Sequence, residues 1–197
     1  MDTKARKLAA AASLLVGTCV LTESTPASAW LYNGCRWPGN SVKLKNSAQF
    51  RLFSPGSQDY TARAWDAFGT WAGTVTDLNS WSMSVATPSG LYINVFDVQN
   101  YNSGYVGLTS WSCSSNVPGP NFFTSVVQSK WNWYYTAYQT AAFNNGIMVH
   151  EIGHAIGLGH ANCGAKSAPA VMNASVAGSC PVWVPQADDI NGVNWVY

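Results

Sequence analysis

Residues 150–160 read His-Glu-Ile-Gly-His-Ala-Ile-Gly-Leu-Gly-His and contain every histidine of the 197-residue chain. This run constrains the fold more than any other. On a helix, positions i and i+4 lie one above the other, so His150 and His154 share a face. Ile147, Met148, Ile152, Ala155 and Ile156 supply the apolar packing for such a helix. Gly157 then permits the backbone to turn sharply, often at positive φ, and the turn can bring His160 round toward the same point.

Two imidazoles on one helical face, with a third from the following turn, suit a Zn²⁺ ion, whose bonds to nitrogen are about 2.0–2.1 Å long. His150, His154 and His160 are therefore the expected metal ligands. The fourth position stays open for water and substrate, as in catalytic zinc sites. Glu151, beside the first ligand, is the expected general base. A five-residue H-E-x-x-H alone also arises by chance in helices. The extended pattern is far more specific, and ordinary surface histidines would be scattered along the chain.

The N-terminus reads as an export signal. Lys4, Arg6 and Lys7 precede the apolar run Leu8 to Leu21, which is short for a membrane span, and Ala27-Ser28-Ala29 fits signal-peptidase cleavage. The expected organisation is a signal peptide over residues 1–29 and one domain from Trp30 to Tyr197, secreted and free of stable membrane association. Cys35, Cys113, Cys163 and Cys180 remain in that domain, an even set suited to disulfides in an exported protein. Three pairings are possible. The Cys163–Cys180 segment is loop-like, and a crosslink closing about 15 residues would offset roughly 3 kcal/mol of chain entropy. That favours Cys163 with Cys180 and Cys35 with Cys113. Zinc binding by cysteine is the weaker reading, because no C-x-x-C pair exists.

Charged residues are only 10% of the chain and the net charge is +1, without the basic stripe that a nucleic-acid binder presents. Ten Trp and nine Tyr are expected mostly in the core, with some lining a cleft.

Val42–Leu52 reads as strand broken at Asn46-Ser47, and Pro55-Gly56-Ser57 as a turn. A helix is predicted from Asp59, with Ala62, Trp65, Ala67, Phe68, Trp71 and Ala72 on its apolar face and Gly73 at its end. Trp81–Ala86, Leu91–Asp97, Gly104–Trp111 and Phe122–Val127 read as strands. Asn144-Asn145-Gly146 reads as a turn before a helix starting at Ile147. Ala161–Pro185 reads as loop, and Asp188–Val196 as a final helix.

The run from His150 to His160 resembles the metzincin zinc-binding signature. Met172, in Ala170-Val171-Met172-Asn173, resembles the methionine of the metzincin turn beneath the metal. Pro185-Gln186-Ala187-Asp188-Asp189-Ile190-Asn191-Gly192-Val193 and Ala64–Trp71 are similar to segments of the matrixins, the matrix-metalloproteinase type. The resemblance implies an α+β fold of the zincin type. Its parts would be a five-stranded mixed sheet, a long first helix, the active-site helix below a cleft and a small C-terminal subdomain. It also implies that Asp188 and Asp189 anchor the last helix toward the methionine turn. Departures exist. Ala161 stands where matrixins usually have Ser or Thr, and no histidine is left for a structural zinc. The Cys-based latency segment is missing, and Ala29 leaves no room for a pro-domain before the first strand. No Tyr closely follows Met172 to act as a further ligand. Asp97 and the Asn100–Gly104 loop offer oxygens to Ca²⁺, but that hard cation wants several and carboxylates are few, so one catalytic Zn²⁺ is the cofactor expected.

The function expected is a monomeric endopeptidase acting on protein or peptide substrates. Two alternatives remain: a zinc amidase acting on cell-wall peptides, and a non-catalytic domain that keeps the fold for binding. Retention of Glu151, a costly buried charge without a task, speaks against the last.

Overall fold

A computed structural model of the chain describes residues 31–54, 56–115, 119–161, 170–174 and 182–197. In chain order the elements are β1 (Leu31–Tyr32), β2 (Ser41–Asn46), β3 (Phe50–Phe53), β4 (Gly56–Asp59), α1 (Tyr60–Ala72), β5 (Ser80–Ser84), β6 (Ile93–Val98), β7 (Gly107–Ser110), β8 (Val127–Asn132), α2 (Trp133–Thr136), α3 (Ala141–Ala155), β9 (Leu158–Gly159) and α4 (Ala187–Val196). The expected export signal over residues 1–29 and the expected Cys163–Cys180 pair lie outside the described residues.

Alternation of apolar and polar residues builds the sheet. Val42 and Leu44 on β2, Ile93 and Val95 on β6, and Val127, Ser129 and Trp131 on β8 are buried, while the residues alternating with them are more open. A period of two places each set on one face, and burying each aliphatic side chain contributes about 1.5–3 kcal/mol. The strand order is β5-β2-β6-β8-β7. β2 runs parallel to β5 and β6, β6 parallel to β8, and β7 antiparallel to β8. The sheet is therefore five-stranded and mixed, with its one reversed strand at an edge. α1 packs on β2, β5 and β6, and α3 on β7 and β8, with the two helices in contact. β3 and β4 form a separate hairpin, paired from Phe50↔Asp59 to Phe53↔Gly56; of the predicted turn Pro55-Gly56-Ser57, Gly56 and Ser57 belong to β4 and Pro55 lies outside the described residues.

Helix α1 starts and stops where its cap residues indicate. Asp59 Oδ1 accepts from the Ala62 N–H at 2.9 Å, and Gly73 follows the last turn. Its buried face differs from the one predicted. Tyr60, Ala64, Ala67 and Trp71 are buried, whereas Trp65 is 40% exposed. Ala64 and Trp65 are neighbours about 100° apart on the helix, and the small side chain faces the core.

Two further predictions need correction. Phe122–Val127 is not a strand: Phe122 and Phe123 make only isolated bridges, to Arg36 and Cys113, and the strand runs from Val127 to Asn132. Ser129 and Lys130 hide its pattern, since Ser129 occupies a fully buried position. Asn144-Asn145-Gly146 is not a turn but the interior of α3, which begins at Ala141 behind a Thr140 cap. Asn144 is buried, its Nδ2 donating to Thr136 O at 3.1 Å. Gly146 lies against the Trp183 ring, where a Cβ has no room. These tertiary contacts override the local turn signal.

Among the oxygens weighed for calcium, those of Asp97, the Asn100 carbonyl and the Ser103 hydroxyl have protein partners. Asp97 accepts from Arg51 Nε at 2.5 Å and from the Gln49 N–H at 2.8 Å. Asn132 Nδ2 donates to Asn100 O at 2.7 Å, Ser103 Oγ at 2.8 Å and Tyr105 O at 3.2 Å.

Candidate metal centre

Helix α3 is buried on nearly every side from Asn144 to Ala155. The indole N–H groups of Trp131, Trp71 and Trp37 donate to the carbonyls of Asn144 (2.8 Å), Val149 (2.7 Å) and Ala155 (2.9 Å). The carbonyls of a final turn have no partner within the helix. Here the Ala155 carbonyl takes the Trp37 bond, the His154 carbonyl takes Asn33 Nδ2 at 2.6 Å, and the Ile156 carbonyl takes the Tyr197 hydroxyl at 3.0 Å. Gly157 then turns the chain at φ +105°, and a Cβ there would sit 2.9 Å from Cys35 O. Both facts demand glycine. Beyond it β9 pairs antiparallel with β1, Leu31↔Gly159, and delivers His160.

The three imidazoles converge. One ring nitrogen from each of His150, His154 and His160 lies within 4.8 Å of the others. Nδ1 of His150 lies 2.7 Å from Val171 O, and Nδ1 of His154 lies 2.7 Å from Leu158 O. A carbonyl only accepts, so the ring hydrogen resides on Nδ1 and each Nε2 keeps a bare lone pair. His154 Nε2 and His160 Nε2 are 3.1 Å apart. Burial, followed by the neighbouring histidine, pushes His150 down to about 3; burial above all holds His154 at about 4. Burial also lowers His160. Neutral imidazoles of this kind are the form that binds metal.

Glu151 faces β7. Its Oε2 accepts from the Thr109 hydroxyl at 2.7 Å, and burial pushes the carboxyl up to about 8 against that bond. A cleft of about 590 Å³ opens over it, lined by Tyr105, Val106, Leu108, Trp111 and the three histidines, among others. Below α3, buried Met172 touches the helix at Gly153, where any Cβ would collide with its sulfur. Asp189, fully buried, accepts from the N–H groups of Val171 (2.9 Å), Met172 (3.2 Å) and Gln186 (2.7 Å). Asp188 is half-buried on the same first turn of α4. Cys35 and Cys113 form a disulfide. Asn33, Gly107 and Thr109 belong to no motif in the sequence. The last two sit two apart in a predicted strand, which was their only signal.

The sequence model of the matrixin family matches residues 55–197. The chain belongs to the matrixin family. Matrixins are zinc metallopeptidases of metzincin fold, and β1 to β3 of this matrixin precede the matched stretch. No curated protein matches the chain. Among solved structures, a chain of the GM1-bound form of the ECX AB5 holotoxin aligns with a TM-score of 0.55 at 15% identity, covering 85% of this matrixin and 84% of that chain. At such identity the likeness speaks for the fold alone. The site of this matrixin suits zinc by its donor chemistry: three uncharged imidazoles, two of them oriented by carbonyls on the far nitrogen, which is how zinc-binding histidines are held.

Proposed function

We propose that this matrixin is a secreted zinc endopeptidase in which His150, His154 and His160 hold the metal and Glu151 is the general base. The convergence of the three histidine nitrogens beside a buried carboxyl, in a cleft under an edge strand, carries this reading. An extended peptide can pair with the outer edge of β7, as strands add to an open sheet edge, and so lie across the histidines. Bound there, zinc supplies a Lewis acid that polarises the scissile carbonyl and acidifies water. Nε2 of His150 and of His154 would be ligand atoms, each ring locked by its Nδ1 bond. Glu151 takes a proton from the attacking water onto its carboxylate and returns it to the leaving amine. Burial raises this carboxyl to about 8 in the metal-free site, and a dication bound beside it would favour the charged, proton-accepting form. The N-terminal 29 residues are read as its export signal, and the Cys35–Cys113 disulfide suits an oxidising compartment.

The test uses the purified mature protein with metal analysis, casein and a muropeptide as parallel substrates. One zinc per chain and casein cleavage abolished by phenanthroline are expected. Glu151→Gln should keep its zinc and lose at least about 10²-fold in turnover. Cleavage of the muropeptide alone would replace the endopeptidase with a cell-wall amidase. Activity that survives chelation would refute both.

A further inference from the structure

Gly107 and Thr109 are two residues apart on β7, so both face the same side of the strand, and that side meets α3. The Thr109 hydroxyl, on a residue only 6% exposed, lies 2.7 Å from Glu151 Oε2, 2.8 Å from the Glu151 carbonyl and 3.1 Å from Ser129 Oγ. A hydroxyl has one hydrogen to give and two lone pairs to accept with. An ionised Glu151 can only accept. The fully buried Ser129 can donate to Thr109 Oγ1, which frees the Thr109 hydrogen for the carboxylate. On the other side, a Cβ at residue 107 would come within 2.6 Å of both Glu151 Oε1 and Ile147 Cγ2, and 3.0 Å of Glu151 Cγ. The carboxylate therefore lies in a slot, tied at one oxygen by Thr109 and given room at the other by Gly107.

We propose that Thr109 is a positioning residue for the Glu151 carboxylate, with Gly107 providing the space that the carboxylate occupies. This rests on the peptidase reading above. Glu has three rotatable side-chain torsions, and a buried carboxylate without a partner swings to find one. A misplacement near 1 Å costs about 10²-fold in rate. A purely structural role is the rival, in which the one hydroxyl hydrogen goes to the Glu151 carbonyl, 2.8 Å away, and ties β7 to the α3 backbone instead.

Thr109→Val, Thr109→Ser and Gly107→Ala separate the two. The Val variant should keep its zinc and its KM and lose about 10- to 100-fold in kcat. The Ser variant, which keeps the hydroxyl, should recover most of that loss. Gly107→Ala, which leaves the hydroxyl in place but fills the slot, should lose kcat in the same way. Crystal structures of the metal-free proteins give a readout apart from activity: Glu151 should leave the Thr109 site in the Val variant and stay in the Ser variant. A Val variant with wild-type kcat, or with its carboxylate unmoved, overturns the proposal, as does a Ser variant no better than Val. Should the zinc-loaded wild type cleave no peptide, the peptidase reading fails, while the crystallographic comparison still decides the positioning. If Thr109→Val does not fold, the Ser and Ala variants carry the test: wild-type kcat in Gly107→Ala overturns it.

Discussion

The titrating side chains at the centre pull stability in opposite directions. Without metal, His150 and His154 stay neutral down to about pH 3 and 4, and Glu151 keeps its proton up to about 8, whereas the unshifted values are 6.5 and 4.5. Below pH 6.5 the unfolded chain takes up protons on histidines that the folded chain refuses, so stability falls as the pH drops. Above pH 6.5 only Glu151 matters: the folded protein holds a proton that the unfolded chain has already lost, so stability falls as the pH rises toward 8. Between 4.5 and 6.5 the three lowered histidines outnumber the two raised carboxyls, Glu151 and Asp189. Metal-free protein should therefore be most stable near pH 6.5, with a slope of about 1.4 kcal/mol per pH unit for each net proton. Thermal melts from pH 4.5 to 8.5 check this, and Glu151→Gln should flatten the alkaline limb and steepen the acid one. A melting temperature that climbs steadily to pH 8 would contradict it.

Among the elements, α4 depends on its first turn. Acidic residues at a helix N-terminus gain about 0.3–1 kcal/mol each from the helix dipole. Asp189 does more, because its carboxylate takes three backbone N–H groups from two separate segments. Leaving buried donors without partners costs about 1–3 kcal/mol each. Asp189→Ala should lower stability by at least about 3 kcal/mol, measured by urea unfolding. It should also weaken zinc binding, since the Val171 carbonyl that orients His150 belongs to the same turn. A loss confined to the dipole range would show that the contacts to residues 171 and 172 are idle.

For the whole molecule, the Cys35–Cys113 disulfide joins the segment before β2 to the strand end after β7, across 78 residues of chain. Closing a loop of that length stabilises the fold by roughly 4.5 kcal/mol in the chain-entropy model. The crosslink also ties down both sides of the metal centre: Cys35 O is the atom against which Gly157 turns, and Trp111 of the cleft wall is two residues from Cys113. The double variant Cys35→Ser, Cys113→Ser should unfold at a lower urea midpoint by about that free energy and show weaker zinc retention. An unchanged midpoint would mean that packing around Trp37 and Phe123, whose ring centroids are 5.3 Å apart, already holds the two segments.

What the sequence by itself determined is chemistry set by short spacing. His150, Glu151, His154, Gly157 and His160 act through helix period and one glycine turn, so their arrangement is local and could be read without a fold. The caps of α1 at Asp59 and Gly73 are local in the same way. What only the tertiary structure decided depends on partners far along the chain. The helix through Asn144-Asn145-Gly146 exists because Trp131, Thr136 and Trp183 fill and bond that face. β8 forms around a buried Ser129 because Thr109 of a neighbouring strand meets its hydroxyl. Thr109 and Glu151, 42 residues apart, come together only when an edge strand is laid over α3. No periodicity encodes such a meeting, because a hydrogen bond across two elements depends on how the whole sheet is stacked and leaves no pattern within either element.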